Sequence, residues 1–223
     1  GIPVYIRPSF WVVLAIFGGA LSISSVEDLI YPALFVIAGF IAILSHEMGH
    51  ALVGRRLGGG QQTIVLELFG GLTSSHGMQL TRGGRALMIL AGPMMTLLLG
   101  IISLWLTWNI VAPVMASHNL DFWDLAISPF TAALISPKLY ILSCLIMIGE
   151  WWTLLNLLPI YPLDGGQLIA QYIRSPRKVF MTGFITAILI GLLSFQLFHG
   201  YFIPIFMALF AYSNYREYKN APF

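Results

Sequence analysis

The sequence predicts an all-α polytopic membrane protein with about six transmembrane helices and a small re-entrant β element between the second and third. Three observations carry this. Of 223 residues, 58% are hydrophobic and only 9% charged, against about 25% charged in soluble domains. The apolar residues gather in six runs, at about 8–26, 30–53, 86–111, 139–158, 179–198 and 200–215, most of them near the ~20 residues that cross a bilayer. The connection from Leu57 to Gly84 is too apolar for a solvated loop.

The first run is long for a signal-peptide core and leads to no small-residue cleavage site, so a retained span is expected. The second and third frame the unusual connection. It opens with Gly58 to Gly60 and continues TIVLELFGGLTS, a strand-like stretch broken at Gly70 and Gly71. Backbone of this kind enters a membrane only when shielded by protein or lining a wet cavity; an interfacial hairpin is the alternative. From Leu120 to Lys138, two prolines and mixed polarity suggest an interfacial helix or lid. The fourth and fifth runs are plain spans, while the sixth is short and carries Pro204. The whole of 1–223 reads as a single membrane domain without soluble accessory domains, with peripheral helices at about 8–26 and 179–215.

The net charge of +2, dispersed and without a basic, aromatic-interleaved surface, argues against a nucleic acid partner. The single cysteine, Cys144, excludes an intrachain disulfide. Under six alternating spans Arg7, Arg55, Arg56, Arg82, Arg85, Arg174, Arg177, Lys178, Arg216 and Lys219 share one side, and Lys138 stands alone on the other. The positive-inside rule then places both termini in the cytoplasm, with Glu27, Asp28, Asp121 and Asp124 opposite.

Within the second run, LSHEMGH carries His46, Glu47 and His50. On a helix the two histidines share a face about 6 Å apart along the axis, close enough to bind one tetrahedral zinc ion. The adjacent glutamate suits removal of a proton from a water at the metal. HExxH also occurs by chance in soluble helices. A charged side chain at mid-bilayer, however, costs about 2.5–3.5 kcal/mol on insertion scales and usually serves function.

Catalytic zinc commonly has three protein ligands, and the acids in apolar context are Glu67, Glu150 and Asp164. Asp164 is favoured. In NLLPIYPLDGGQ, Pro159 and Pro162 end the preceding helix, and Gly165 and Gly166 permit a tight turn that aims one carboxylate from a non-helical break. His50 and Asp164 also fall toward the same, cytoplasmic side. A turn-forming or capping role for Asp164 is the alternative. Asn156 suits either an amide donor to a developing oxyanion or substrate backbone, or an ordinary interhelical hydrogen bond.

HEMGH in an early span, with Asn156, Pro159, Pro162 and LDGG at 163–166 in a later one, resembles the site-2 protease family of intramembrane zinc metalloproteases. The likeness extends to Gly70–Gly71 and the AGP step at Ala91–Pro93, covering about residues 40–175. It implies a catalytic core at about 30–175, one zinc ion per chain on His46, His50 and Asp164, and Glu47 as base. It further implies substrate positioning by Asn156 and by the strand or loop running through Leu68, Gly70 and Gly71, with the opening toward the cytoplasm. Thr63 to Leu68, β-forming in composition, is expected to offer an unpaired strand edge to an extended substrate, and proline at Val65 or Leu68 should then impair turnover. Implied substrates are single-pass transmembrane segments of membrane-tethered regulators, or signal-peptide remnants. The PDZ and nucleotide-binding modules of some members are not seen, so targeting is expected to rest on the membrane portion or on a partner such as a regulatory membrane protein.

Two other functions fit a membrane histidine pair. A metal channel or transporter should repeat ligands at several depths or show an internal repeat, and neither is visible. A zinc-stabilised scaffold has no use for Glu47, and structural zinc usually fills all four positions with protein groups.

Overall fold

The computed structural model describes residues 1–68, 70–118, 126, 128–199 and 201–222. The chain divides into two units, Gly1–Thr153 and Leu154–Phe223.

The first unit begins with strand β1 (Val4–Ile6) and helix α1 (Pro8–Phe17). Pro8 suits the first helical position because its missing amide would have no partner there, and Gly18 and Gly19 end the helix. Its 10 residues rise about 15 Å, half of a hydrocarbon core of about 30 Å. The span expected at 8–26 is therefore not formed. The chain turns instead through short 3-10 segments, where the Asp28 carboxylate accepts from the Ser24 and Ser25 amides at 3.3 and 2.9 Å.

Helix α2 (Ile30–Gly58) runs 29 residues and carries Arg55 and Arg56 in its last turn, where cations complement the carbonyl end. Strands β2 (Gln61–Glu67) and β3 (Gly70–His76) follow. The sheet order is β1-β2-β3, with β1 parallel to β2 and β3 antiparallel. Val65 stands opposite Tyr5 on one side and Leu72 on the other. Strand β2 is thus central, which corrects the expectation that Thr63–Leu68 offers an unpaired edge; Leu68 lies in the exposed turn beyond it. Alternate residues Gln62, Ile64 and Leu66 are buried, and Ile64 and Leu66 join Phe10, Leu14, Ile43 and Ala51 in one cluster.

Helix α3 (Arg82–His118) is followed by a short helix α4 (Pro129–Ala133), capped by Ser128, and by α5 (Pro137–Asn156). Asp121 and Asp124 lie outside the described residues, as does most of the expected lid before Ser128. Between α3 and α5 the hydroxyls of Thr96 and Thr153 are hydrogen-bonded at 2.7 Å, the small-polar contact that joins helices in an apolar solvent.

In the second unit α6 (Asp164–Ala170) precedes two longer helices, α7 (Pro176–Phe198) and α8 (Phe202–Asn220). These last two pair antiparallel, Phe184 meeting Tyr215 and Phe195 meeting Tyr201, over a core of Ile160, Ala187, Met207 and Ala211. Helix α8 ends in charged Arg216, Glu217 and Lys219. Among the described residues, four helices rather than six are long and apolar enough to span: Glu27–Gly58, Arg82–Ile110, Pro137–Asn156 and Pro176–Leu197. Their outward faces, such as Ile101 and Trp105 on α3 and Leu189 and Leu192 on α7, are exposed apolar surface, which a bilayer would cover.

Candidate metal centre

His46, Glu47 and His50 are all buried on α2. The i, i+4 spacing stacks the histidines on one face, with ring centroids 4.8 Å apart and planes at 81°. That face meets α3. His50 Nδ1 lies 2.8 Å from the Met88 carbonyl oxygen, which can only accept, so Nδ1 carries the proton and a neutral ring keeps its lone pair on Nε2.

Gly92 on α3 completes the arrangement. A Cβ there would collide with His50 Nε2 and lie 2.8 Å from His46 Nε2. Both nitrogens therefore converge on one point, and only glycine lets the two rings pack so closely against α3. Two imidazoles presenting Nε2 to a common space, one of them oriented by a carbonyl bonded to its other nitrogen, suit zinc.

Glu47 faces β3. Thr73 Oγ1 lies 2.7 Å from Glu47 Oε2 and 3.2 Å from the Glu47 carbonyl oxygen. Gly71 stands two residues earlier, and a Cβ there would overlap the Glu47 side chain. Gly70, at φ +122°, would bring a Cβ against the Trp152 ring.

The other acids in apolar context are placed differently. Glu67 pairs with Arg7 at 3.2 Å, and Glu150 is exposed on α5. In the second unit Asp164 is buried. The expected non-helical break occupies 157–163, with a cis Tyr161–Pro162 bond, and Asp164 itself opens α6. A Cβ at Gly165 or Gly166 would strike the backbone of Leu157, Leu158 or Ile160, so the turn closes tightly only with glycine. Asn214 Nδ2 donates to the Tyr161 carbonyl at 2.6 Å, and Gln167 Nε2 to the Pro162 carbonyl at 2.9 Å. Asn156 ends α5 and is buried.

Sequence reading did not assign Thr73, Gly92, the Met88 carbonyl or Asn214. The AGP step marked Gly92 as notable but not its neighbours. In GGLTSS, the period-two relation of Gly71 to Thr73 was the available signal for Thr73.

The chain is similar to known zinc metalloproteases. Zinc metalloprotease MJ0392 of Methanocaldococcus jannaschii is 27% identical over 223 residues, 95% of this chain and 56% of that protein. Rip3 of Mycobacterium tuberculosis is 31% identical over 132 residues, 59% of this chain and 29% of that protein. The chain thus spans about half or less of the curated relatives' length. Among solved structures, the site-2 protease from Methanocaldococcus jannaschii superposes with a TM-score of 0.62, covering 98% of this chain and 91% of that one; at 23% identity the likeness establishes the fold alone. The model of peptidase family M50 matches residues 34–198. With most of its length and its HExxH helix inside that match, the chain belongs to peptidase family M50, the site-2 protease family of intramembrane zinc metalloproteases.

Proposed function

We propose that this chain is a zinc-dependent endopeptidase that cuts transmembrane segments, in membrane-tethered regulators or signal-peptide remnants. His46 and His50 of the first unit and Asp164 of the second hold one zinc ion, and Glu47 is the general base. The observation that carries this reading is the convergence of both histidine Nε2 atoms on one point against Gly92, on a helix where the residue beside His46 is a buried carboxylate. Two imidazoles and a carboxylate, all buried, make a donor set of the catalytic type.

Bound zinc would polarise the scissile carbonyl and acidify a water. Glu47 accepts the proton of the attacking water and returns it to the leaving amine nitrogen. Asn156 holds substrate backbone or the developing oxyanion. The substrate must unwind first, because a helical backbone is already hydrogen-bonded. Since β2 is central, its role as an open edge passes to β3, whose far side pairs with no strand among the described residues. An extended substrate beside β3 would be held by backbone hydrogen bonds, with Gly70 and Gly71 at the start of that strand and Leu68 at its turn. The catalytic core covers about 30–175, its opening faces the cytoplasm, and nucleic acid is not a partner.

Metal content and cleavage of a single-pass reporter by purified protein test the reading. Wild type is expected to hold about one zinc per chain. Glu47→Gln should keep the metal and lose about 100- to 10,000-fold in rate; normal cutting by this variant would refute the base. Asp164→Ala should lose zinc, and stoichiometric metal in it would remove Asp164 from the ligand set.

A further inference from the structure

We infer that Thr73 is a positioning residue that holds the Glu47 carboxylate in one orientation through its hydroxyl, and that Gly71 makes the contact possible. The inference rests on the proposed role of Glu47 and adds to it the element that aims the base.

Strand β3 places residues 71, 73 and 75 on one face, because side chains alternate along a strand. Their partners across the ladder are Leu66, Ile64 and Gln62, all buried, so this is the inward face of the sheet. Three hydrophobic residues would be the ordinary choice for such a face. The chain instead has glycine, threonine and serine. Ser75 is explained within the sheet, since its hydroxyl donates to Gln62 Oε1. Gly71 and Thr73 find their explanation on Glu47.

A side chain at 71 would overlap Cγ, Cδ and Oε1 of Glu47. Glycine therefore lets the strand come within reach of the glutamate. At 73 the hydroxyl meets Glu47 Oε2 at 2.7 Å and the Glu47 carbonyl at 3.2 Å. It has one proton, and the nearer, ionisable oxygen makes the stronger acceptor. One carboxylate oxygen is thus held, which leaves Oε1 for the proton it is to accept. A glutamate on a helix face otherwise samples several rotamers, and catalysis requires the base within hydrogen-bond reach of its proton. A displacement of about 1 Å can lower a rate by about 100-fold.

Replacing Thr73 by Val keeps shape and removes the hydroxyl, while Thr73→Ser keeps the hydroxyl. On a single-pass transmembrane reporter in detergent micelles, Thr73→Val should lower kcat by about 10- to 100-fold with KM and zinc content unchanged, and Thr73→Ser should recover most of the rate. Wild-type kcat in Thr73→Val, equal losses in both variants, or loss of zinc from Thr73→Val would each overturn the positioning role. A second readout needs no turnover: the 13Cδ resonance of Glu47, identified by its disappearance in Glu47→Gln. It should shift in Thr73→Val and remain in place in Thr73→Ser; an unmoved resonance in Thr73→Val refutes the contact. If wild-type protein cuts nothing, the protease reading fails, and the resonance still decides whether Thr73 orients Glu47.

Discussion

A histidine binds metal through the nitrogen that its other hydrogen bond leaves bare. At His50 the Met88 carbonyl selects Nε2, and at Gly92 the absence of a single methyl group lets that atom and its counterpart on His46 sit against α3. Gly92→Ala is accordingly expected to weaken zinc binding by on the order of 10- to 100-fold, the range seen when the supporting shell of a metal site is disturbed. Helix content by circular dichroism should be unchanged, because alanine is a better helix former than glycine. Full zinc affinity in this variant would show that the histidines do not need Gly92 to hold the metal.

Among the elements, two buried contacts differ in what their loss leaves behind. Thr153→Val removes the α3–α5 hydroxyl pair. Thr96 Oγ1 still has the Gly92 and Pro93 carbonyls at 3.3 and 3.0 Å, so the cost should be about 0.5–1.5 kcal/mol. Asn214 on α8 ties that helix to the Tyr161 carbonyl, three residues before Asp164, and is almost fully buried. Asn214→Ala strands that carbonyl and should cost about 1–3 kcal/mol. Reversible unfolding in detergent checks the order, Asn214→Ala below Thr153→Val; the opposite order would mean that the Tyr161 carbonyl finds another donor. Strand β1 also alters an experiment that the sequence suggested. Proline at Val65 would disturb a central strand, so a substrate edge has to be tested on β3.

For the whole molecule, the distribution of cations bears on orientation across a bilayer. Strand β1 pairs with β2 in parallel, and Arg7 just beyond it meets Glu67. The antiparallel return of α8 sets Tyr218 under Arg177, at 4.5 Å from the ring centroid, which keeps Arg216 and Lys219 with Arg174 and Lys178. A cytoplasmic location for these cations is the expected outcome. Single cysteines replacing Arg174 and Lys138, probed with a membrane-impermeant thiol reagent, should label in opposite vesicle orientations: Lys138→Cys from outside, Arg174→Cys only in inside-out vesicles. The reverse pattern would overturn the orientation.

The sequence by itself determined what depends on composition and on short spacing. Charged residues are too few for a soluble domain, apolar runs mark helices, and four residues separate His46 from His50 on any α-helix. The same local logic marked the turn before Asp164, since Pro159, Pro162 and the glycine pair act through the backbone of their immediate neighbours. Helix ends were less legible: the run at 8–26 is mostly apolar, yet α1 stops at Gly18 and Gly19 after 10 residues. Only the tertiary structure decided which groups meet across distance in the chain. Three residues, Val4–Ile6, carry too little pattern to announce a strand, and β1 exists because β2, nearly sixty residues later, supplies its hydrogen bonds. Thr73 and Gly92 are likewise ordinary residues in their own segments. Their importance comes from Glu47 and the histidines on α2, because a hydrogen bond or a missing Cβ has meaning only against the atom it faces.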